Sequence, residues 1–265
     1  VGLKLSAALI ATNNSRAVGL IDEYLEYQTD ELEQDTLDGD VYEGIPIERL
    51  GESYAEENWI RVYPHSLNEA LGGGVQPQTH IVIFAEPECG KSLFAINMAA
   101  GFCRDGHKTL YVENEDSGDA TSLRFLCRMS DRGKIEVLED LEGSLAVAKE
   151  KGEGNLIIAN LAPGTITEIE ALIKKHEPRC MIVNQLRHLA FQNTDGDTAQ
   201  LTKAGKEMRR LIKKYDKVGI SIHQDADSAT GKTVQERGEV YRSNTSHTRA
   251  AHVFNGIGTN GSNIN

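Results

Sequence analysis

The chain has 265 residues, 39% of them hydrophobic, which is enough for one substantial core with a small appendage, and its formal charge is -12. No apolar run reaches the roughly 20 residues of a membrane span, and the opening VGLKLSAALIATNN lacks the charged start and apolar centre of a signal peptide. Cys89, Cys103, Cys127 and Cys180 stand far apart with no CxxC pair and no His partner at zinc spacing, so the expectation is reduced thiols in a soluble protein of a cytosol-like compartment.

The acidity is local. Residues 1–60 hold 14 Asp and Glu against Lys4, Arg16 and Arg49, so the rest of the chain is close to neutral and charge gives no strong bias toward nucleic acid. Within that segment, residues 16–34 place Val18, Ile21, Leu25 and Leu32 near helical spacing among acidic residues, which predicts one amphipathic helix. The following stretch to Trp59 is acidic, turn-rich and weakly patterned, and reads as a linker or extended arm. Residues 1–60 are thus expected as an acidic helix and arm, and residues 61–265 as the main domain. The stretch begins at Val1 without a methionine, which leaves room for neighbouring domains.

From about residue 61 short β-rich runs alternate with helical stretches. The runs are HIVIFA (80–85), KTLYVE (108–113), NLIIAN (155–160), CMIVN (180–184), VGISIH (218–223) and HVFNGIG (252–258). Continuous apolar strands separated by helices predict an α/β domain whose mainly parallel central sheet is flanked by helices. In the segment 197–216, Leu201, Ala204, Met208, Leu211 and Tyr215 form a core-facing stripe, so Lys203, Lys206, Arg209, Arg210, Lys213 and Lys214 read as its solvated face.

The stretch AEPECGKS (Ala85–Ser92) fits the phosphate-binding loop GxxxxGK[ST] except at its first glycine, which is Ala85 here. A strand precedes it and a helical run, SLFAINMAAGF, follows, as that loop requires. Glu86, Pro87, Glu88, Cys89 and Gly90 would wrap phosphate with backbone N–H groups; Lys91 would reach the β and γ oxygens, and the Ser92 hydroxyl would hold Mg2+. Ala85 sits at the strand end, where a methyl group is tolerable at negative φ. ATP and Mg2+ are therefore the expected ligands.

The segment PHSLNEALGGGVQPQTHIVIFAEPECGKSLFAINMAAGF resembles the start of the RecA-like P-loop motor domain of DnaB-type replicative helicases, where an LN…GGG segment leads into the first strand. The resemblance runs through GHKTLYVENEDSGDATSLRFLCRMS to VGISIHQ, covers about residues 61–258, and in style is similar to bacteriophage-encoded members, which implies the cytoplasm of a bacterial host. It implies that Glu115 polarises the attacking water, with Glu113 as the competing assignment; the alternative role for one of these acids is to cap the next helix, which Asp116 or Ser117 fits better. It implies that Gln224 senses the γ-phosphate and that Arg249, or else Arg242, reaches a neighbouring subunit's nucleotide.

One departure stands out. Strands of this kind end in a magnesium-ordering aspartate, and CMIVNQLRHL has Asn184 there, which keeps the shape and one acceptor but loses the charge. A slow enzyme, a substitution that traps a nucleotide-bound state, and a shifted register are three explanations. The resemblance further implies a homohexameric ring around single-stranded DNA, contacted by Arg132, Lys134, Lys232 and Arg237 in loops 128–134 and 225–239, with Phe191 in loop 191–198 as a stacking aromatic. In that setting helix 16–34 either packs on the adjacent subunit or folds back on its own domain, and a primase and a helicase loader are implied partners. A recombinase-like filament, or a nucleotide-gated assembly or loader module with little hydrolysis, are the other readings.

Overall fold

The computed structural model describes residues 44–45, 47–85, 89–191, 197–224 and 253–257. The expected helix over 16–34 lies outside them. Contacts divide the chain into a unit ending at Glu52 and a unit starting at Ser53. Helix α1 (Ile47–Ser53) begins in the first; everything that follows belongs to the second.

In chain order the second unit contains α2 (His65–Ala70), β1 (His80–Ala85), α3 (Lys91–Arg104), β2 (Thr109–Glu113), α4 (Gly118–Ser130), α5 (Lys134–Glu139), α6 (Leu141–Glu150), β3 (Leu156–Asn160), α7 (Ile166–His176), β4 (Cys180–Asn184), α8 (Asp197–Lys214), β5 (Val218–Gln224) and β6 (Val253–Ile257). Each of the six runs read as strands matches one to within a residue at either end. They form a single sheet in the order β3-β2-β4-β5-β1-β6, and every pairing is parallel. Helices between successive strands from β1 to β5 make this arrangement possible, since a parallel neighbour is reached only by a crossover.

β2 and β4 are buried along their whole length, and their side chains alternate between two cores. Tyr111, Cys180 and Ile182 pack on one side with Ile96, Phe102 and Phe125 of α3 and α4. Leu110, Val112, Met181 and Val183 pack on the other with Ile169 and Ile173 of α7 and Met208 and Leu211 of α8. Glu113 and Asn184 share the parity of Tyr111 and Ile182, so they fall on the α3 side.

The LN…GGG segment has a structural explanation. The buried Asn68 side chain accepts from the Val62 N–H at 2.9 Å, and Val75 bridges back to Ile60. Between them Gly73 takes φ of 111°, and a Cβ on Gly74 would meet the Ile60 carbonyl oxygen at 2.9 Å. Only glycine satisfies both demands without strain.

A second clamp joins the starts of β1 and β5. Gln78 donates its N–H to the Lys217 carbonyl at 2.7 Å and its side-chain amide to Asp216 at 3.1 Å, while its own carbonyl accepts from Arg209 at 2.6 Å.

Helix α8 bears out the stripe: Leu201, Ala204, Met208 and Leu211 are buried. Part of its basic face is tied to α7 rather than solvated. Glu170 accepts from the Tyr215 hydroxyl at 2.6 Å, Lys214 at 3.1 Å and Arg210 at 3.3 Å. Burial pushes the Glu170 carboxyl up, but these donors outweigh it and hold it below the usual carboxylate range. The stabilisation is therefore present above the ordinary glutamate pKa and is lost as pH falls through the depressed value. Glu170→Gln should lower stability at neutral pH by about 1–2 kcal/mol and narrow its difference from the parent protein near about pH 3, as read by urea unfolding at both conditions.

Candidate nucleotide site at the carboxyl ends of the strands

Parallel pairing brings strand ends level in two pairs. Ala85 of β1 lies opposite Gln224 of β5, and Glu113 of β2 lies opposite Asn184 of β4. Since β2, β4, β5 and β1 are neighbours in that order, their last residues line one crevice outside the sheet, where open α/β sheets bind ligands.

The phosphate-loop candidate opens onto that crevice. Gly90 precedes α3 with φ of 92°, a left-handed conformation that a side chain would strain. It turns the chain so that the first N–H groups of α3, which have no partner within the helix, face outward. Lys91 is the first residue of the helix and is 7% exposed. The Ser92 hydroxyl lies 3.4 Å from the Asn184 side-chain nitrogen. Glu86, Pro87 and Glu88 lie outside the described residues.

At the end of β2 the two glutamates differ sharply. Glu113 is buried, and accepts from the Glu115 and Asp116 N–H groups at 2.9 and 3.1 Å and from the Thr121 hydroxyl at 3.3 Å. Glu115 is exposed, and its carboxylate is held by the Gln185 side-chain amide at 2.5 Å. A carboxylate that polarises water must reach water, and of the two only Glu115 is placed to do so. Ser117 caps α4 by accepting from the Ala120 N–H at 3.2 Å, while Asp116 pairs with Arg124.

Asn114 and Gln185 were not singled out by any sequence signal. Asn114 donates to the Gln185 carbonyl at 2.8 Å, accepts from the Gln185 N–H at 2.5 Å, and its own N–H meets the Asn184 carbonyl at 3.0 Å. The turn after β2 is thereby fixed to the end of β4. Asn184 is the last residue of β4 and reaches Ser92, so the asparagine occupies the position by the loop without a register shift.

Other candidates lie elsewhere. Gln224 ends β5 beside Ala85, and its side chain lies outside the described set, as do Lys232, Arg237, Arg242 and Arg249. Arg132 pairs with Asp140 at 2.9 Å and meets Ser144 at 3.1 Å, and Lys134 opens α5. Both follow Asp131, which pairs with Arg104 at the far end of α3, about 20 Å along the helix from Gly90. The structure does not bring them to the loop. Phe191 carries the Lys203 ammonium over its ring at 5.5 Å.

Among the described residues no group of three or more His, Cys, Asp or Glu side chains could hold a metal alone. The site nevertheless fits Mg2+, which is held by few protein groups, several waters and substrate phosphates. The Ser92 hydroxyl and the Asn184 Oδ1, a buried acceptor without a hydrogen-bond partner among the described residues, are the groups that would serve it.

A family model described as an AAA domain matches residues 48–230, more than half of the chain. The chain belongs to this AAA-domain family. Among curated proteins it is similar to DNA repair protein RadA of Chlamydia trachomatis serovar D, 36% identical over 80 residues that make up 30% of this chain and 18% of that protein. It is also similar to RadA of Synechocystis sp., 26% identical over 162 residues, 59% of this chain and 30% of that protein. The chain thus spans less than a third of either relative.

Among solved structures, a DnaB-like replicative helicase, reported with its interactions with primase, superposes with a TM-score of 0.69 at 15% identity, covering 90% of this chain and 64% of that one. A second solved structure, an ATPase domain, gives 0.68 at 18% identity, covering 81% of this chain and 84% of that one. The AAA-domain chain therefore has the RecA-like fold of those proteins. No helix among its described residues is long and apolar enough to cross a membrane.

The thiols report on the loop. Burial pushes the Cys103 thiol up to about 11 and raises that of Cys180 as well, whereas Cys89 and Cys127 are half-buried. With iodoacetamide at neutral pH, peptide mass spectrometry should show Cys89 and Cys127 modified first, and added ATP should slow Cys89 alone.

Proposed function

We propose that this protein is an ATP-driven motor that moves on single-stranded DNA as a ring of identical subunits and separates duplex DNA. The observation that carries the reading is that Ser92, at the start of α3 beside Lys91, meets Asn184 at the end of β4, next to Gln185, which holds the exposed Glu115. In it, the N–H groups at the start of α3 and Lys91 hold the triphosphate, and Glu115, fixed by Gln185, orients a water toward the γ-phosphate. A bound Mg2+ would supply neutralisation of the charge that develops on the phosphates. Ser92 and Asn184 would hold its water shell. Gln224 at the end of β5 is assigned to sensing the γ-phosphate, and Arg249 or Arg242 to a neighbouring subunit's nucleotide.

The likeness to a DnaB-like helicase supports the ring, and the acidic helix and arm of residues 1–60 are assigned to its subunit contacts. Lys134, Lys232 and Arg237 are the proposed phosphate donors toward DNA. Arg132, already paired with Asp140, is the weakest of the four candidates. The neighbour reported with primase supports a primase as partner, alongside a helicase loader. The RadA matches favour a second reading, a DNA-repair motor or filament on the same core.

Steady-state ATP hydrolysis with and without single-stranded DNA at low salt tests the reading, with Lys91→Ala as blank. Turnover should rise about tenfold or more with DNA, vanish in the blank, and lose its stimulation as salt rises. Turnover indifferent to DNA would rule out the motor and leave a nucleotide-gated assembly module. In negative-stain images with a non-hydrolysed ATP analogue, closed rings are expected; open helical filaments would favour the repair reading.

A further inference from the structure

Asn184 stands where the resemblance expects a carboxylate, and the fold puts a carboxylate beside it. Glu113 is the last residue of β2, opposite Asn184 in the parallel register, and both side chains are fully buried. The Asn184 Nδ2 donates to the two Glu113 oxygens at 3.0 and 3.2 Å and to Ser92 at 3.4 Å. A carboxylate only accepts, so Glu113 decides which end of the amide faces it: nitrogen toward Glu113, oxygen away. That oxygen, Asn184 Oδ1, is a buried acceptor without a partner among the described residues.

Glu113 has no acceptor capacity to spare. Besides the Asn184 amide it takes the Glu115 and Asp116 N–H groups and the Thr121 hydroxyl, which fill the roughly four acceptor positions of a carboxylate. It is therefore placed to contribute charge and orientation without binding a cation directly.

We infer that Glu113 and Asn184 form one unit at the magnesium site, in which Glu113 supplies the negative charge and sets the amide, and Asn184 Oδ1 accepts from the cation's water shell. The charge has moved one strand sideways, from β4 to β2, while the acceptor has stayed at the end of β4. Glu113 is on this account a positioning residue, one step removed from the phosphates. The inference rests on the Mg2+–ATP reading above and adds to it a residue that a simple loss of the β4 carboxylate would leave idle.

The two accounts predict opposite results for Asn184→Asp. If Asn184 is only a lost ligand, the aspartate restores it. If the pair is a unit, the aspartate sets two carboxylates about 3 Å apart with no donor between them, and the site is damaged. Exchanging the roles, Glu113→Gln with Asn184→Asp, puts an amide back against a carboxylate and restores one charge.

The experiment is binding of a fluorescent ATP analogue to the full chain across a Mg2+ titration, with Lys91→Ala as blank and a melting curve for each variant. Glu113→Gln should raise the Mg2+ concentration at half-effect by about tenfold or more, the cost usual for losing a group that orients a metal's ligand. Its binding in EDTA should not change, which separates this role from mere helix capping. Asn184→Asp alone should shift the midpoint in the same direction, and the exchanged protein should return toward the parent value. An unchanged midpoint in Glu113→Gln, or an improved one in Asn184→Asp, overturns the inference. If Glu113→Gln fails to fold, the contrast between Asn184→Asp and the exchanged protein decides. Parent protein that binds no better than the Lys91→Ala blank would instead sink the nucleotide reading beneath it.

Discussion

Everything in the site depends on the level parallel register of β2 with β4 and of β5 with β1. Strands that run the same way discharge their chain ends on the same side, and the helices that return the chain cover both faces. Helix α3 then starts close after β1 stops, and its Ser92 lies against Asn184 at the end of β4. A slip of one residue in β4 would turn Asn184 to the α7 and α8 side, away from Ser92.

Within that frame polar chemistry is arranged by burial. Glu113 and Asn184 lie at the boundary between the hydrophobic strand interior and the crevice, where each buried polar atom needs a partner. The backbone of the β2 turn supplies two of them, and Asn114 fixes that turn to Gln185. Gln185 in turn holds the exposed Glu115. Buried and exposed carboxylates two residues apart thus belong to one network, with separate tasks set by their surroundings.

Much of the fold was legible in the sequence, because its signals are local. Six apolar runs, each bounded by turn residues, gave six strands, and the loop AEPECGKS placed the start of α3. The stripe on α8 was legible for the same reason. The Glu113–Asn184 contact was not, because residues 71 positions apart meet only through the order of strands in the sheet, which no local pattern encodes. Asn114 and Gln185 were invisible for a related reason: each looks like an ordinary loop amide until its partner is known. Glu115 and Glu113 read alike as acids at a strand end, and their difference in exposure appears only in the structure.

The clamp at Gln78 bears on how such a sheet can move. With the starts of β1 and β5 bonded to each other through Gln78, Lys217, Asp216 and Arg209, the two strands cannot slide lengthwise. The two strands are thus pinned at their starts, and the ladder between them keeps Ala85 opposite Gln224.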